Sequence, residues 1–146
     1  MSVGNRIKKI RNMRGMTQKE LGLAVGFDEK SADIRIAQYE SGTRTPKEKI
    51  ITNISNVLKV NPKAITCLEL NSYMDLAHIL FILEDIYCIK VNSVDGELCL
   101  IPDKTQNSIY PTLFDILNTW RQEAEKLKNG EITKDEYNTW RYNYRI

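Results

Sequence analysis

Hydrophobic residues recur every three or four positions through residues 1–66, with polar residues between them. That period is typical of amphipathic helices and not of strands, in which side chains alternate. Breaks in the pattern divide this stretch into five helices. The positions that carry it are Val3, Ile7, Ile10, Leu21, Val25, Ile36, Tyr39, Ile50, Ile54, Val57 and Leu58.

Capping residues set the ends of the second helix. Thr17 and Glu20 have the spacing of a capping box, in which each side chain satisfies a backbone donor at the helix start. The helix is therefore predicted from about Gln18 to Val25, and Gly26 suits the left-handed residue that ends it.

The third helix is predicted from about Ala32 to Ser41, with Ser31 as its N-cap and Gly42 past its end. Gly22, in the preceding helix, has no side chain beyond hydrogen and leaves room for the third helix to cross closely.

Two further helices have start signals of their own. Thr45, Pro46 and Glu48 predict an N-cap, a proline at the first helical position and a capping acid. Asn61–Pro62 repeats the signal for a short fifth helix that runs through about Cys67.

The pattern changes in residues 69–146. Apolar residues at nearly every position after Tyr73 predict a largely buried helix. The period then becomes two on both sides of Asp95–Gly96, a strong turn signal, which predicts a two-stranded hairpin. Pro111 opens a long helix, and Thr133 caps a last one. The apolar stripe of the long helix is Leu113, Leu117, Trp120, Ala124 and Leu127.

The stretch from Thr17 to Gly42 resembles the helix-turn-helix of lambda-repressor-like, Xre-type DNA-binding domains. The residues that match the family pattern are Gln18, Leu21, Gly22, Gly26, Ile36, Gln38, Tyr39, Glu40 and Gly42. The family's turn has about three residues, so the sequence FDEKS at residues 27–31 is interpreted as an insertion. The resemblance covers about residues 3–66.

The fold class expected from the pattern and the resemblance is mainly α. Residues 1–68 are expected to form a five-helix, lambda-repressor-like DNA-binding bundle. Residues 69–146 are expected to form a small C-terminal α+β module with one β-hairpin, available for dimerisation or for binding a partner.

The resemblance also implies roles for individual residues. In this family the third helix enters the major groove and the second lies across the phosphate backbone. The candidates for contact with base edges are Asp33, Ile34, Arg35 and Gln38, of which Arg35 reaches either a guanine or a phosphate. The candidates for contact with phosphates are Thr17, Gln18, Arg44 and Lys47. Arg11 and Glu40 match an internal salt bridge of many family members and are assigned to the scaffold.

The charge of the chain is divided unevenly. Residues 1–66 have thirteen Lys and Arg against six Asp and Glu, a formal charge of +7. Residues 67–146 have eight against thirteen, a formal charge of −5. Since a polyanion attracts the first part and repels the second, double-stranded DNA is the expected partner of the N-terminal half.

Other chemistry is not indicated. His78, the one histidine, lies in an apolar helix, so no metal site, catalytic residue or cofactor is predicted. Cys67, Cys88 and Cys99 are interpreted as buried reduced thiols. The apolar runs are too short to span a bilayer and none resembles a signal peptide, so a cytoplasmic protein without membrane contact is expected.

The sequence favours a sequence-specific transcriptional regulator, a repressor that occupies an operator as a homodimer. The alternative is a protein-binding adaptor or antitoxin whose C-terminal half binds a partner, with DNA binding secondary. An aromatic set in that half either packs between the last two helices or forms an interface. Its members are Trp120, Tyr137, Trp140, Tyr142 and Tyr144.

Overall fold

The computed structural model describes residues 1–66 and 68–146. This part of the chain contains eight helices and one two-stranded antiparallel sheet, which confirms the prediction of a mainly α fold with one hairpin. The elements are α1 (Val3–Met13), α2 (Gln18–Val25), α3 (Ala32–Glu40), α4 (Glu48–Leu58), α5 (Pro62–Thr66), α6 (Tyr73–Tyr87), β1 (Ile89–Val94), β2 (Glu97–Pro102), α7 (Tyr110–Lys128) and α8 (Lys134–Asn143).

The chain divides into two compact units. The first comprises Met1–Glu69 and Lys134–Arg145, and the second comprises Leu70–Thr133 together with Ile146. The first unit therefore contains α1 to α5 and α8, and the second contains α6, the hairpin and α7.

One hydrophobic core holds the helices of the first unit together. Its buried members are Ile7, Ile10, Leu21, Val25, Ile36, Tyr39, Ile51, Ile54, Leu58, Val60 and Ile65. Most of these positions follow from the helical pattern. In α4, Ile54 and Leu58 are buried as predicted, whereas Ile50 and Val57 are only partly buried and pack against the core. Ile51, which the predicted stripe did not include, is buried.

The start of α4 also differs from the prediction. Pro46 is buried ahead of the helix and not in its first turn. Lys47 has an extended backbone (φ −72°, ψ 161°) and occupies the N-cap position, so the helix begins at Glu48. The predicted capping role of Thr45 is therefore wrong, because the helix starts too far along the chain for its side chain to cap.

The ends of α2 follow the sequence closely. The Thr17 hydroxyl accepts from the Glu20 N–H, and the Glu20 carboxylate accepts from the Thr17 N–H, so the capping box is present. Gly26 is left-handed, with φ 100°. Ser31 stands at the N-cap position of α3 but provides no side-chain cap, because its hydroxyl donates back to the carbonyl of Asp28.

α8 belongs to the first unit, whereas the sequence analysis assigned it to the C-terminal module. Tyr137 is buried, and Tyr142 packs against the core. The backbone N–H of Asn61 donates to the carbonyl of Tyr142 at 2.9 Å. The ring of Trp140 contacts the rings of Tyr137 and Tyr144, with centroids 5.8 and 5.5 Å apart. Four of the five aromatic residues predicted as one set therefore lie in the first unit.

The second unit has no buried residue between Leu70 and Thr133. The prediction that α6 is largely buried is wrong for a single chain: Phe81 is 58% exposed and Ile86 57%. Trp120 of α7, the fifth aromatic residue, is 51% exposed. The physical reason is that one two-stranded sheet and one further helix offer too little surface to cover α6.

The hairpin forms where the sequence predicts it. Val94 pairs with Glu97, and Asp95 and Gly96 between them have φ of 52° and 84°, the left-handed backbone of a tight two-residue turn. At the open end of the hairpin, the ammonium of Lys90 in β1 lies 2.6 Å from the carboxylate of Asp103, which follows β2. This ion pair, with hydrogen bonds from Thr105, lowers the pKa of Asp103 to about 2.

The cysteines differ in part from the prediction. Cys88 and Cys99 are free thiols, but each is only partly buried, because both lie in the unit that has no buried residue before Thr133. Cys67, and with it the predicted end of the fifth helix, lies outside the described residues.

Candidate nucleic-acid interface

The crossing of α2 and α3 fixes the geometry of the site. Gly22 lies against the start of α3, and a Cβ there would come within 2.6 Å of the carbonyl carbon and 2.8 Å of the Cβ of Ala32. No side chain fits in that space, so glycine is what allows the two helices to meet. Ile36 and Tyr39 then bury the inner side of α3 in the core.

The opposite side of α3 is open to solvent. Together with the first residue of α2 it lines a shallow depression whose residues are Gln18, Asp33, Ile34, Ala37, Gln38 and Ser41. We call the five α3-side residues of this depression, from Asp33 to Ser41, the α3 face. Ile34 is 54% exposed among these residues, so a partner that covers the depression would contact an apolar side chain.

A buried polar network lies beneath the depression. Arg11 donates to both carboxylate oxygens of Glu40, from Nε at 2.6 Å and from Nη2 at 3.0 Å. Its Nη1 donates to the carbonyl of Met16 at 2.6 Å, which ties α1 to the segment that precedes α2. The hydrogen bond to the Glu40 carboxylate raises the pKa of Arg11 above its usual value, so the guanidinium keeps its charge.

Gln18 joins this network from the start of α2. Its Nε2 donates to Oε2 of Glu40 at 2.8 Å. Because an ionised carboxylate only accepts hydrogen bonds, the amide nitrogen must be the atom that faces Glu40. One N–H and the carbonyl oxygen of the Gln18 amide are left for other partners, and Glu40 holds them in a defined orientation.

Arg35 lies apart from the α3 face. Its guanidinium carbon is 5.1 Å from the centroid of the Phe27 ring, a cation–π geometry, and Phe27 in turn contacts the ring of Tyr39. The FDEKS segment therefore supplies a platform for Arg35. The sequence pattern grouped Arg35 with Asp33, Ile34 and Gln38, whereas the structure groups only the latter three.

The predicted phosphate-contacting residues lie in two segments beside α3. Thr17 and Gln18 lie at the N-terminus of α2, where unpaired backbone N–H groups and the helix dipole attract anions. Arg44 and Lys47 are exposed in the segment between α3 and α4. The Arg44 N–H donates to the carbonyl of Gln38 at 3.1 Å, which keeps this segment close to the end of α3.

Other basic residues of the N-terminal half have structural partners. Arg14 donates from Nε to the carbonyl of Leu58 and from Nη1 to the hydroxyl of Thr139, which joins α1, α4 and α8. Arg6 donates to the carbonyls of Ile65 and Leu68. These two side chains keep their charge but are held by contacts within the unit, which a count of charges does not reveal.

Sequence reasoning missed two members of the α3 face, Ala37 and Ser41. Both stand one turn of helix, or two, beyond Asp33 and lie on the same side of it. The spacing of four and eight residues from Asp33 places both residues on the same side of α3. Their small side chains, however, do not by themselves indicate a contact with DNA.

These features define a helix-turn-helix DNA-binding domain: α2 and α3 cross at a buried glycine, one side of α3 packs in the core, and the other side is exposed. A family model described as Helix-turn-helix matches residues 7–65. Residues 7–65 are therefore a helix-turn-helix domain of the lambda-repressor-like, Xre type, as the residue pattern indicated.

One solved structure similar to the chain is titled as that of the transcriptional regulator BswR. It is 30% identical, the match covers 60% of this chain and 97% of that one, and the TM-score is 0.45. No curated protein gives a significant match. Among the described residues, no helix combines the length and the hydrophobicity that a membrane crossing requires.

Proposed function

We propose that the protein is a sequence-specific transcriptional repressor that occupies operator DNA as a homodimer. The observation that carries the proposal is the exposed α3 face, with Ile34 and three hydrogen-bonding side chains displayed on a helix whose other side packs in the core. A rigid helix that presents such side chains fits the major groove of B-DNA.

The residues of the α3 face have distinct roles in this proposal. The Gln38 amide donates to and accepts from an adenine edge, and Ile34 contacts a thymine methyl. Asp33 accepts from a cytosine amino group. Ala37 and Ser41 are small enough to let the backbone of α3 approach the base edges closely. Specificity thus comes from a few side chains of mixed chemistry, as direct readout requires.

Phosphate contacts hold α3 in register. The free N–H of Gln18, oriented by Glu40, donates to a phosphate that the N-terminus of α2 also attracts. Arg44 and Lys47, in the segment after α3, contact further phosphates. Arg35, supported by Phe27, reaches the backbone rather than a base in this proposal, because it points away from the α3 face.

Dimerisation follows from the length of helix that reads DNA. A single α3 contacts only a few base pairs, too few for a unique operator, so two copies bind half-sites about one helical turn (~34 Å) apart. Repression then results from occupancy, since a bound dimer blocks access of the polymerase to an overlapping promoter.

Transcription in vitro tests the repressor role. An inverted repeat recovered by the full chain from genomic fragments is placed across a promoter, and transcript is measured against protein concentration. We expect a decrease that follows operator occupancy, and no decrease from a promoter with a scrambled repeat. A rise in transcript, or occupancy without any change, would refute repression while leaving DNA binding in place.

A further inference from the structure

We propose that α6 and the apolar face of the hairpin form the interface with a second copy of this chain. The inference rests on the proposed homodimer and identifies the surface through which the two copies would associate. The surface belongs entirely to the second unit, and we call it the α6–hairpin surface; its members are Met74, Phe81, Ile82, Ile86, Val91, Leu98 and Leu100.

The first argument is the composition of α6. Residues 76–83, LAHILFIL, contain no Asp, Glu, Lys or Arg. Eight residues make about two turns of helix, so side chains without formal charge point in every direction around it. A helix that is apolar on all sides is stable in water only when all sides are covered. In the single chain Phe81, Ile82 and Ile86 are 45–58% exposed.

The hairpin gives the second argument. Its register places Val91 opposite Leu100 and Ser93 opposite Leu98, so Val91, Leu98 and Leu100 share one face of the sheet. They are 71%, 82% and 48% exposed. An isolated two-stranded hairpin is at best marginally stable, and three or more strands or a packed face are needed to hold it. The exposed face therefore needs a cover.

The exposed area is that of a stable protein–protein interface. The seven members of the α6–hairpin surface are 45–82% exposed. With roughly 100 Å² of exposed area each, they present about 700 Å² per chain, and about 1,400 Å² for two chains that cover each other. Specific, stable interfaces bury about 1,200–2,000 Å² in all.

A second copy of the chain is the occupant that these features favour. Because no side chain of the LAHILFIL segment is formally charged except for the titratable His78, two copies meet across a two-fold axis without like-charge repulsion. The second unit has no buried residue between Leu70 and Thr133, so its apolar side chains need a partner surface whenever the unit is folded. Another copy is always present in equal amount, and folding and association are then one event.

Sedimentation equilibrium of the purified full chain tests the inference. We expect the wild type to have twice the chain mass at micromolar concentration. Phe81→Glu and Leu98→Glu each place a charge on the α6–hairpin surface, and we expect both to sediment as monomers at the same concentration. Asn92→Glu is the matched control: it adds the same charge next to Val91 but on the opposite face of the hairpin, and it should remain a dimer.

Hydrogen exchange of the wild type tests the same interface without a substitution, so its result does not depend on whether the variants fold. On dilution below the dissociation constant, amides of α6 and the hairpin should lose protection while those of α1 and α4 keep it. A monomeric wild type, a dimer that both charged variants leave intact, or a stoichiometric foreign protein on the second unit would overturn the inference. Operator selectivity of the same samples is measured separately, so a failed dimer with retained sequence preference refutes this interface and not the DNA-binding function.

Discussion

At the scale of single residues, Glu40 connects the scaffold to the α3 face. Its carboxylate receives two hydrogen bonds from Arg11 and one from Gln18, and its side chain is only 3% exposed. A buried ion pair is weak evidence for stability in itself, but removing one partner leaves an uncompensated charge. The same side chain that anchors α3 therefore also orients the Gln18 amide.

Replacing Glu40 by Ala should lower the free energy of unfolding by about 3–5 kcal/mol, because the Arg11 guanidinium loses its buried partner. Urea denaturation followed by circular dichroism measures this. The control is Glu125→Ala, which removes the exposed ion pair with Arg121 and should cost less than about 0.5 kcal/mol. Similar losses for the two variants would contradict a structural role for the Arg11–Glu40 pair.

Glu20 gives the first unit a pH-dependent contribution to stability. Hydrogen bonds from the Thr17 N–H and hydroxyl lower the pKa of Glu20 below its usual 4.5. A lowered folded-state pKa means that this stabilisation is complete above about pH 5 and is lost as the pH falls through the folded-state pKa.

Glu20→Gln keeps the shape of the capping box but does not titrate. We expect the melting temperature of the wild type to fall more steeply than that of the variant between pH 6 and pH 3. Thermal melts at several pH values make the comparison, and parallel curves for the two proteins would show that the carboxylate charge does not contribute.

At the scale of helices, α8 completes the DNA-binding unit from the far end of the sequence. Tyr137 is 6% exposed, and Arg14 of α1 reaches Thr139 in α8. The chain thus leaves the first unit after Glu69 and returns to it at Lys134.

Tyr137→Ala should destabilise the first unit by about 3–5 kcal/mol, the usual cost of removing a buried aromatic side chain. Native-state hydrogen exchange locates the effect, and we expect faster exchange in α1 and α4. If exchange became faster only in α8, the helix would not contribute to the stability of α1 and α4.

These elements show where sequence reasoning succeeded and where it stopped. Local signals sufficed for the Thr17–Glu20 capping box, the left-handed Gly26 and the Asp95–Gly96 turn, because neighbouring residues alone decide them. The position of α8 depends on contacts such as Asn61 with Tyr142, which are distant in sequence and leave no periodic trace. The Phe27 platform under Arg35 lies in an insertion with no counterpart in the family pattern.

The prediction that α6 is buried failed for a different reason. Its hydrophobic run correctly signals that the helix needs to be buried, but sequence does not state which chain buries it. A pattern without charge looks the same whether its cover is intramolecular or a second copy. The largest disagreement with the sequence analysis is therefore also the feature from which we infer an interface.

At the scale of the whole molecule, two DNA-binding units joined through the α6–hairpin surface would bind DNA with a strong dependence on salt. Each lysine or arginine that neutralises a phosphate releases counterions, so the logarithm of the binding constant falls with the logarithm of salt concentration. The acidic second unit adds no phosphate contacts to this dependence.

Arg44→Ala removes one proposed phosphate contact per chain and two per dimer. We expect weaker binding to all sequences, and a salt slope that is less steep by about two for the dimer. Fluorescence anisotropy titrations from 50 to 300 mM salt supply the slope. Arg121→Ala, which removes the same charge from the second unit, should leave the slope unchanged; if it lowers the slope equally, net charge rather than contact is responsible.

The central claim is that the α3 face reads base sequence, and the most direct test is to select genomic fragments with the wild type and with Gln38→Ala side by side at near-physiological salt. We predict that the wild type enriches one inverted repeat with half-sites about one helical turn apart. The variant should enrich the same repeat with its preference relaxed at one position in each half-site. Salt-sensitive binding without enrichment by the wild type, or an identical motif for both proteins, would contradict the account.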